Sequence, residues 1–98
     1  MSHIHDLREV IQRVHGVEAK HIESVPVKET HQGQTVWDGV VEVFDLIGHP
    51  KTHRVYAWAH QTDKPDKVRH VTVLHVPPVV SPQTAVKAAI IQEYRNNA

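Results

Sequence analysis

The chain has 98 residues, of which 40% are hydrophobic and 22% charged, and its eleven acidic residues balance eleven basic ones. That length supports one domain with one modest core, and that composition excludes a disordered chain. Zero net charge removes the overall electrostatic footprint that drives phosphate-backbone binding, and the absence of cysteine excludes disulfides, thiolate metal sites and cysteine nucleophiles.

No basic segment followed by an apolar run opens the sequence, and no apolar run approaches the ~18–20 residues that cross a bilayer. A cytoplasmic, single α+β domain spanning residues 1–98, without membrane contact, is the expectation. The first segment predicts a helix. Ile4, Leu7, Ile11 and Val14 recur at three- and four-residue spacing, with Val10 at the edge of the stripe. Ser2 is placed to cap it, and Gly16 to end it.

Four strand-like runs follow, at residues 21–28, 36–47, 53–60 and 68–76. Their separators are rich in turn residues: Gly33 in the first, Gly48 and Pro50 in the second, Asp63 and Pro65 in the third. Short connections favour antiparallel neighbours, so a meander is expected, and Pro26 assigns the first strand to an edge. Pro77-Pro78 ends the fourth strand. A second helix then opens with Ser81 as cap and Pro82 as first helical residue, and buries Ala85, Val86, Ala89, Ile90 and Tyr94.

Strand alternation suggests how the faces divide. With Val55, Ala57 and Ala59 taken as the small face under an alanine-rich helix, Tyr56 and Trp58 fall on the other side. The expected architecture is then two-layered, α-β-β-β-β-α, with both helices on one face of the sheet. The helix-free face would carry Asp38, Val40, Glu42, Phe44, Arg54, Tyr56, Trp58, His60, His70 and Leu74. A mixed apolar and aromatic patch of that kind marks a partner or ligand surface, and a second copy of the chain is the simplest partner. A one-residue slip in register would exchange the two faces.

Three kinds of chemistry compete with this reading of a non-catalytic, homodimerising interaction module. A small-molecule or enzymatic site could form at the dimer interface around Trp58, Tyr56, His60, His70, Asp38 and Glu42, since a carboxylate that orients a histidine is a general-base arrangement. The ten histidines raise metal binding, but their spacing matches no ligand motif, and only His53 and His75 meet across strands in the expected register. No metal or cofactor is therefore assigned. Nucleic acid is the third. The order of elements resembles that of the double-stranded RNA-binding domain, a family that clamps phosphates with lysines at the start of its last helix. In Ser81-Pro82-Gln83-Thr84-Ala85-Val86-Lys87-Ala88-Ala89 only Lys87 and the paired alanines match that pattern.

The segments Val36-Trp37-Asp38-Gly39-Val40-Val41-Glu42-Val43-Phe44, Arg54-Val55-Tyr56-Ala57-Trp58-Ala59 and Ser81 to Ile90 together resemble small uncharacterised bacterial proteins, including kinds carried on mobile gene cassettes. The resemblance extends over the whole chain. It implies a bacterial cytosolic domain and assigns no activity or site residue.

Overall fold

A computed structural model describes residues 3–61 and 68–97. The elements follow the order α1 (His3–His15), β1 (Glu18–His31), β2 (Gln34–Ile47), β3 (Arg54–Gln61), β4 (Val68–Leu74) and α2 (Pro82–Asn97). The four strands form an antiparallel meander, β1-β2-β3-β4, so the expected α+β class and strand order hold, with β1 at an edge. The Ser2 cap, the turn at Asp63 and Pro65, and the Tyr94 side chain lie outside the described residues.

Local sequence explains most boundaries. Leu7, Val10 and Ile11 are the buried face of α1, whereas Val14 is 60% exposed despite its place in the stripe. The helix ends where the Gly16 amide donates to the Gln12 carbonyl at 2.9 Å. At the start of α2 the Thr84 amide donates to Ser81 Oγ at 3.2 Å, while Thr84 Oγ1 accepts from the Ser81 amide at 2.9 Å. This reciprocal pair satisfies amides that a helix start otherwise leaves orphaned. The β1–β2 connection is tighter than expected. Pairing runs to His31 and Gln34, and the two linking residues, Gln32 and Gly33, have φ of 52° and 78°. Two positive φ values give the turn whose twist matches a hairpin, and glycine takes the second without strain.

The placement of the helices differs from expectation. Val43 pairs with Tyr56, Phe44 with Val55, and Trp58 with Val71. Residues that pair directly across strands share a face, so odd-numbered residues of β2 join even-numbered residues of β3. One core therefore contains Val27, Val41, Val43, Tyr56 and Trp58 beneath Val79, Ala85 and Val86 of the α2 region. The other contains Ala19, Phe44, Leu46, Val55 and Ala57 beneath Leu7 and Ile11 of α1. The helices lie on opposite faces, and the domain has three layers instead of two. No helix-free face exists. Its predicted members separate: Asp38, Val40, Glu42, Phe44, His70 and Leu74 take the α1 side, and Arg54, Tyr56, Trp58 and His60 the α2 side.

The sheet also divides along its length. β2 and β3 pair only from Glu42 to Asp45 and from Arg54 to Ala57. Beyond these rows the β1–β2 and β3–β4 hairpins part, and Trp37 and Trp58 meet edge to face on the α2 side, their ring centres 5.7 Å apart.

Separate cores make a separable prediction. Leu7→Ala should cost about 2–5 kcal/mol in urea unfolding. The tryptophan emission maximum of the folded variant should not move, because both indoles pack on the far side of the sheet. A shifted native emission maximum would count against the two-core arrangement.

Candidate functional site

The residues expected to act together resolve into three groups. The first centres on Glu42, which is only 5% exposed. β1 has a bulge between His21 and Glu23. The extra residue, Ile22, brings His21 and Ser24 to one face, although three residues apart in a regular strand would oppose them. Both reach the same carboxylate oxygen: His21 Nε2 lies 2.8 Å from Glu42 Oε1, and Ser24 Oγ donates to it. His21 also packs edge to face on Phe44, with ring centres 5.3 Å apart. Ser24 Oγ stands 3.5 Å from His21 Nε2 and gives its proton to the glutamate. A serine nucleophile would direct that proton to the imidazole. The cluster instead satisfies a buried carboxylate, whose desolvation is costly without partners. The sequence carried no signal for it, since the bulge is a feature of pairing rather than of residue type.

The second group is a set of histidines at the end of the sheet where β2 gives way to β3. His15 Nε2 bonds Thr72 Oγ1 at 3.0 Å, and its ring stands 6.2 Å from that of His49. His49 Nδ1 accepts the amides of Lys51 and Thr52 at 3.1 and 3.3 Å, which shapes the loop. The expected encounter of His53 and His75 occurs, with ring centres 6.3 Å apart, but His75 Nδ1 is engaged by the Tyr56 hydroxyl at 2.7 Å. Among the described residues no three His, Asp or Glu side chains are arranged to hold a metal ion. Burial lowers the His15 pKa from its ordinary 6.5, and the neighbouring His49 lowers it further. Burial raises the Tyr56 hydroxyl above its ordinary value, with Arg54 opposing that shift and Glu23 adding to it.

The third group forms a cavity. α2 crosses the sheet over β1 and β2, which leaves a groove of about 550 Å³ between the helix and β4. Val71 and Val73 form its floor beside an edge of Trp58, Val86, Ala89 and Ile90 its helical wall, and Trp37 closes one end. Gly39 makes that end possible. A Cβ there would stand 3.0 Å from the Trp37 ring, so the missing side chain lets the indole lie flat along its own strand towards Trp58. His60 and the ion pair of Arg69 with Glu93, at 2.7 Å, stand at the rim. Of the ten predicted site residues, Trp58, His60 and His70 line this groove. Trp58 is only 2% exposed, so it contributes an edge to the cavity and not an open platform. Tyr56 and Phe44 are core residues, Arg54 pairs with Asp45 at 3.2 Å, Leu74 packs against the α1-side core, and Asp38 and Val40 are exposed. A smaller groove of about 410 Å³ flanks the other side of α2, beside Val36, Lys87 and Ile91.

Comparison of the chain with protein-family models, curated protein sequences and solved structures gives no match.

The histidine cluster predicts a direction of pH dependence. His15 in the folded chain has a lowered pKa, so below about pH 6.5 the unfolded chain takes up the proton more readily. The stabilisation is complete above that pH and is lost as pH falls through the depressed folded value. Urea midpoints should therefore drop between neutral and mildly acidic pH, and His15→Gln should flatten that drop. A variant with the same pH profile as the parent would refute the assignment.

Proposed function

We propose that this chain is a non-catalytic binding module whose ligand occupies the groove between α2 and β4. The observation that carries this reading is the groove itself, with a volume of about 550 Å³ and walls built from both tryptophans and a face of α2. Binding sites for small ligands are concave, mostly apolar spaces of ~300–1,000 Å³ with a few polar groups at the margin. Trp37, Trp58, Val71, Val73 and Ala89 supply the apolar lining, and His60, Arg69 and Glu93 the polar margin.

The competing readings have less support. A homodimer seated on a bare sheet face has no such face to use, because each side of the sheet bears a helix. The cluster of His21, Ser24 and Glu42 lends no support to an acid–base enzyme, because these residues are spent on one another and line neither groove. Nucleic acid lacks its phosphate clamp. Lys87 stands 3.8 Å from Glu29 Oε1, so its charge is already answered within the chain.

Both tryptophans of the chain line the groove, so the ligand site has its own reporter. The anionic aromatic dye 1-anilinonaphthalene-8-sulfonate should bind the native protein and quench its tryptophan emission. Ala89→Phe, which fills the groove from the helical wall, should weaken dye binding about tenfold, or about 1.4 kcal/mol. Equal binding by parent and filled variant, or none by the native parent, would remove the groove as a site.

A further inference from the structure

The groove follows the free edge of the sheet. β4 is the last strand in the order β1-β2-β3-β4 and, among the described residues, has one neighbouring strand. The direction of its main chain follows from the pairing. The His75 amide donates to the Arg54 carbonyl at 2.9 Å, which makes that pair a hydrogen-bonded row. Such rows alternate along an antiparallel ladder. Arg69, Val71 and Val73 therefore direct their amides and carbonyls to β3, and His70 and Thr72 direct theirs away from it. The opposite side of β3 agrees: the Leu46 amide donates to the His53 carbonyl at 2.8 Å, which gives β3's odd-numbered residues to β2 and its even-numbered ones to β4.

His70 and Thr72 line the groove, although their side chains belong to the opposite face from Val71 and Val73. The outward main chain of β4 therefore forms one bank of the cavity and α2 forms the other. The two edges of the sheet are also built differently. β1 has Pro26, a bulge at Ile22 and the exposed charges Glu18, Lys20, Glu23 and Lys28, which are devices that keep an edge from pairing. β4 reads Val-Arg-His-Val-Thr-Val-Leu, with three β-branched valines, no proline, glycine or bulge, and one charged side chain, Arg69, which pairs with Glu93.

We infer that the groove takes an extended peptide of a partner protein, added as a fifth strand against the outward edge of β4, with alternate side chains entering the cavity. The inference rests on the binding-module reading above and gives its ligand a class. Main-chain hydrogen bonds to His70 and Thr72 supply affinity. The room between Trp58, Val71, Val73 and Ala89 selects large apolar side chains at every second position. A second copy of β4 would bring valines to a space of about 550 Å³, which favours a partner with larger residues over self-pairing.

The test starts from a displayed library of random peptides selected on the full chain. Selected peptides should alternate large apolar residues with unrestricted ones. Their binding should protect the His70 and Thr72 amides from hydrogen exchange. Methylating alternate peptide nitrogens should weaken binding about tenfold or more, while methylating the intervening nitrogens should leave it intact. His70→Pro, which deletes one outward donor on an edge strand, should weaken binding to the same extent. If the proline variant does not fold, the methylation series decides alone. Three results would overturn the inference: tolerance of methylation at every position, failure to select any peptide, or concentration-dependent protection of the β4 amides in the free chain, which would show a second copy on the edge. Dye binding separates the two levels. A dye that still enters the groove when no peptide is selected leaves the binding module standing and removes only the strand-added peptide.

Discussion

The whole arrangement depends on β3 being buried from both sides. Val55 and Ala57 face α1, Tyr56 and Trp58 face α2, and all four are almost fully enclosed. Four consecutive buried residues commit both faces of the sheet to a core, and each core then needs its own helix. A small domain buries its apolar surface by enclosing sheet faces, so two half-cores share the work that a single thicker core would otherwise do. The small size of Ala57 lets α1 come close on one side. The large rings of Tyr56 and Trp58 fill the other side beneath α2.

The groove is a consequence of the same geometry. Once the hairpins part beyond Ala57, no continuous sheet remains for α2 to cover. The helix stays over the long β1–β2 hairpin, where Gln83 donates to the Lys28 carbonyl at 3.2 Å and Lys87 meets Glu29. Trp37, laid flat by Gly39, spans part of the gap to Trp58. An edge-to-face indole pair contributes about 0.5–1.5 kcal/mol beyond the area it buries. The remaining opening, between α2 and the unguarded edge of β4, is the space to which we assign a ligand. Its position thus follows from the parted hairpins, and its free main chain from the place of β4 at the end of the strand order.

Much of this fold was legible in the sequence. Ser81-Pro82 marks the start of α2, Gly16 the end of α1, and Pro26 an edge strand, because capping, positive φ and a missing amide are local physics. The division of faces was not legible from alternation alone. Val55-Tyr56-Ala57-Trp58-Ala59 alternates in size but not in polarity, and a continuous apolar run of this kind indicates burial on both sides. Val40-Val41-Glu42-Val43-Phe44 gives the same indication, obscured by Glu42, whose burial depends on His21 and Ser24 and so on a bulge. Trp58, expected on a bare face, is covered by α2. It belongs to the α2 core and reaches the groove only at its margin.

The two helices pack on opposite faces, with Trp58 beneath α2. Through-space magnetisation transfer from the Trp58 indole protons tests it most directly. Cross-peaks to the methyl groups of Ala85 and Val86 are expected, and none to those of Leu7 and Ile11. Cross-peaks from Trp58 to Leu7 or Ile11 would put both helices on one face and contradict it.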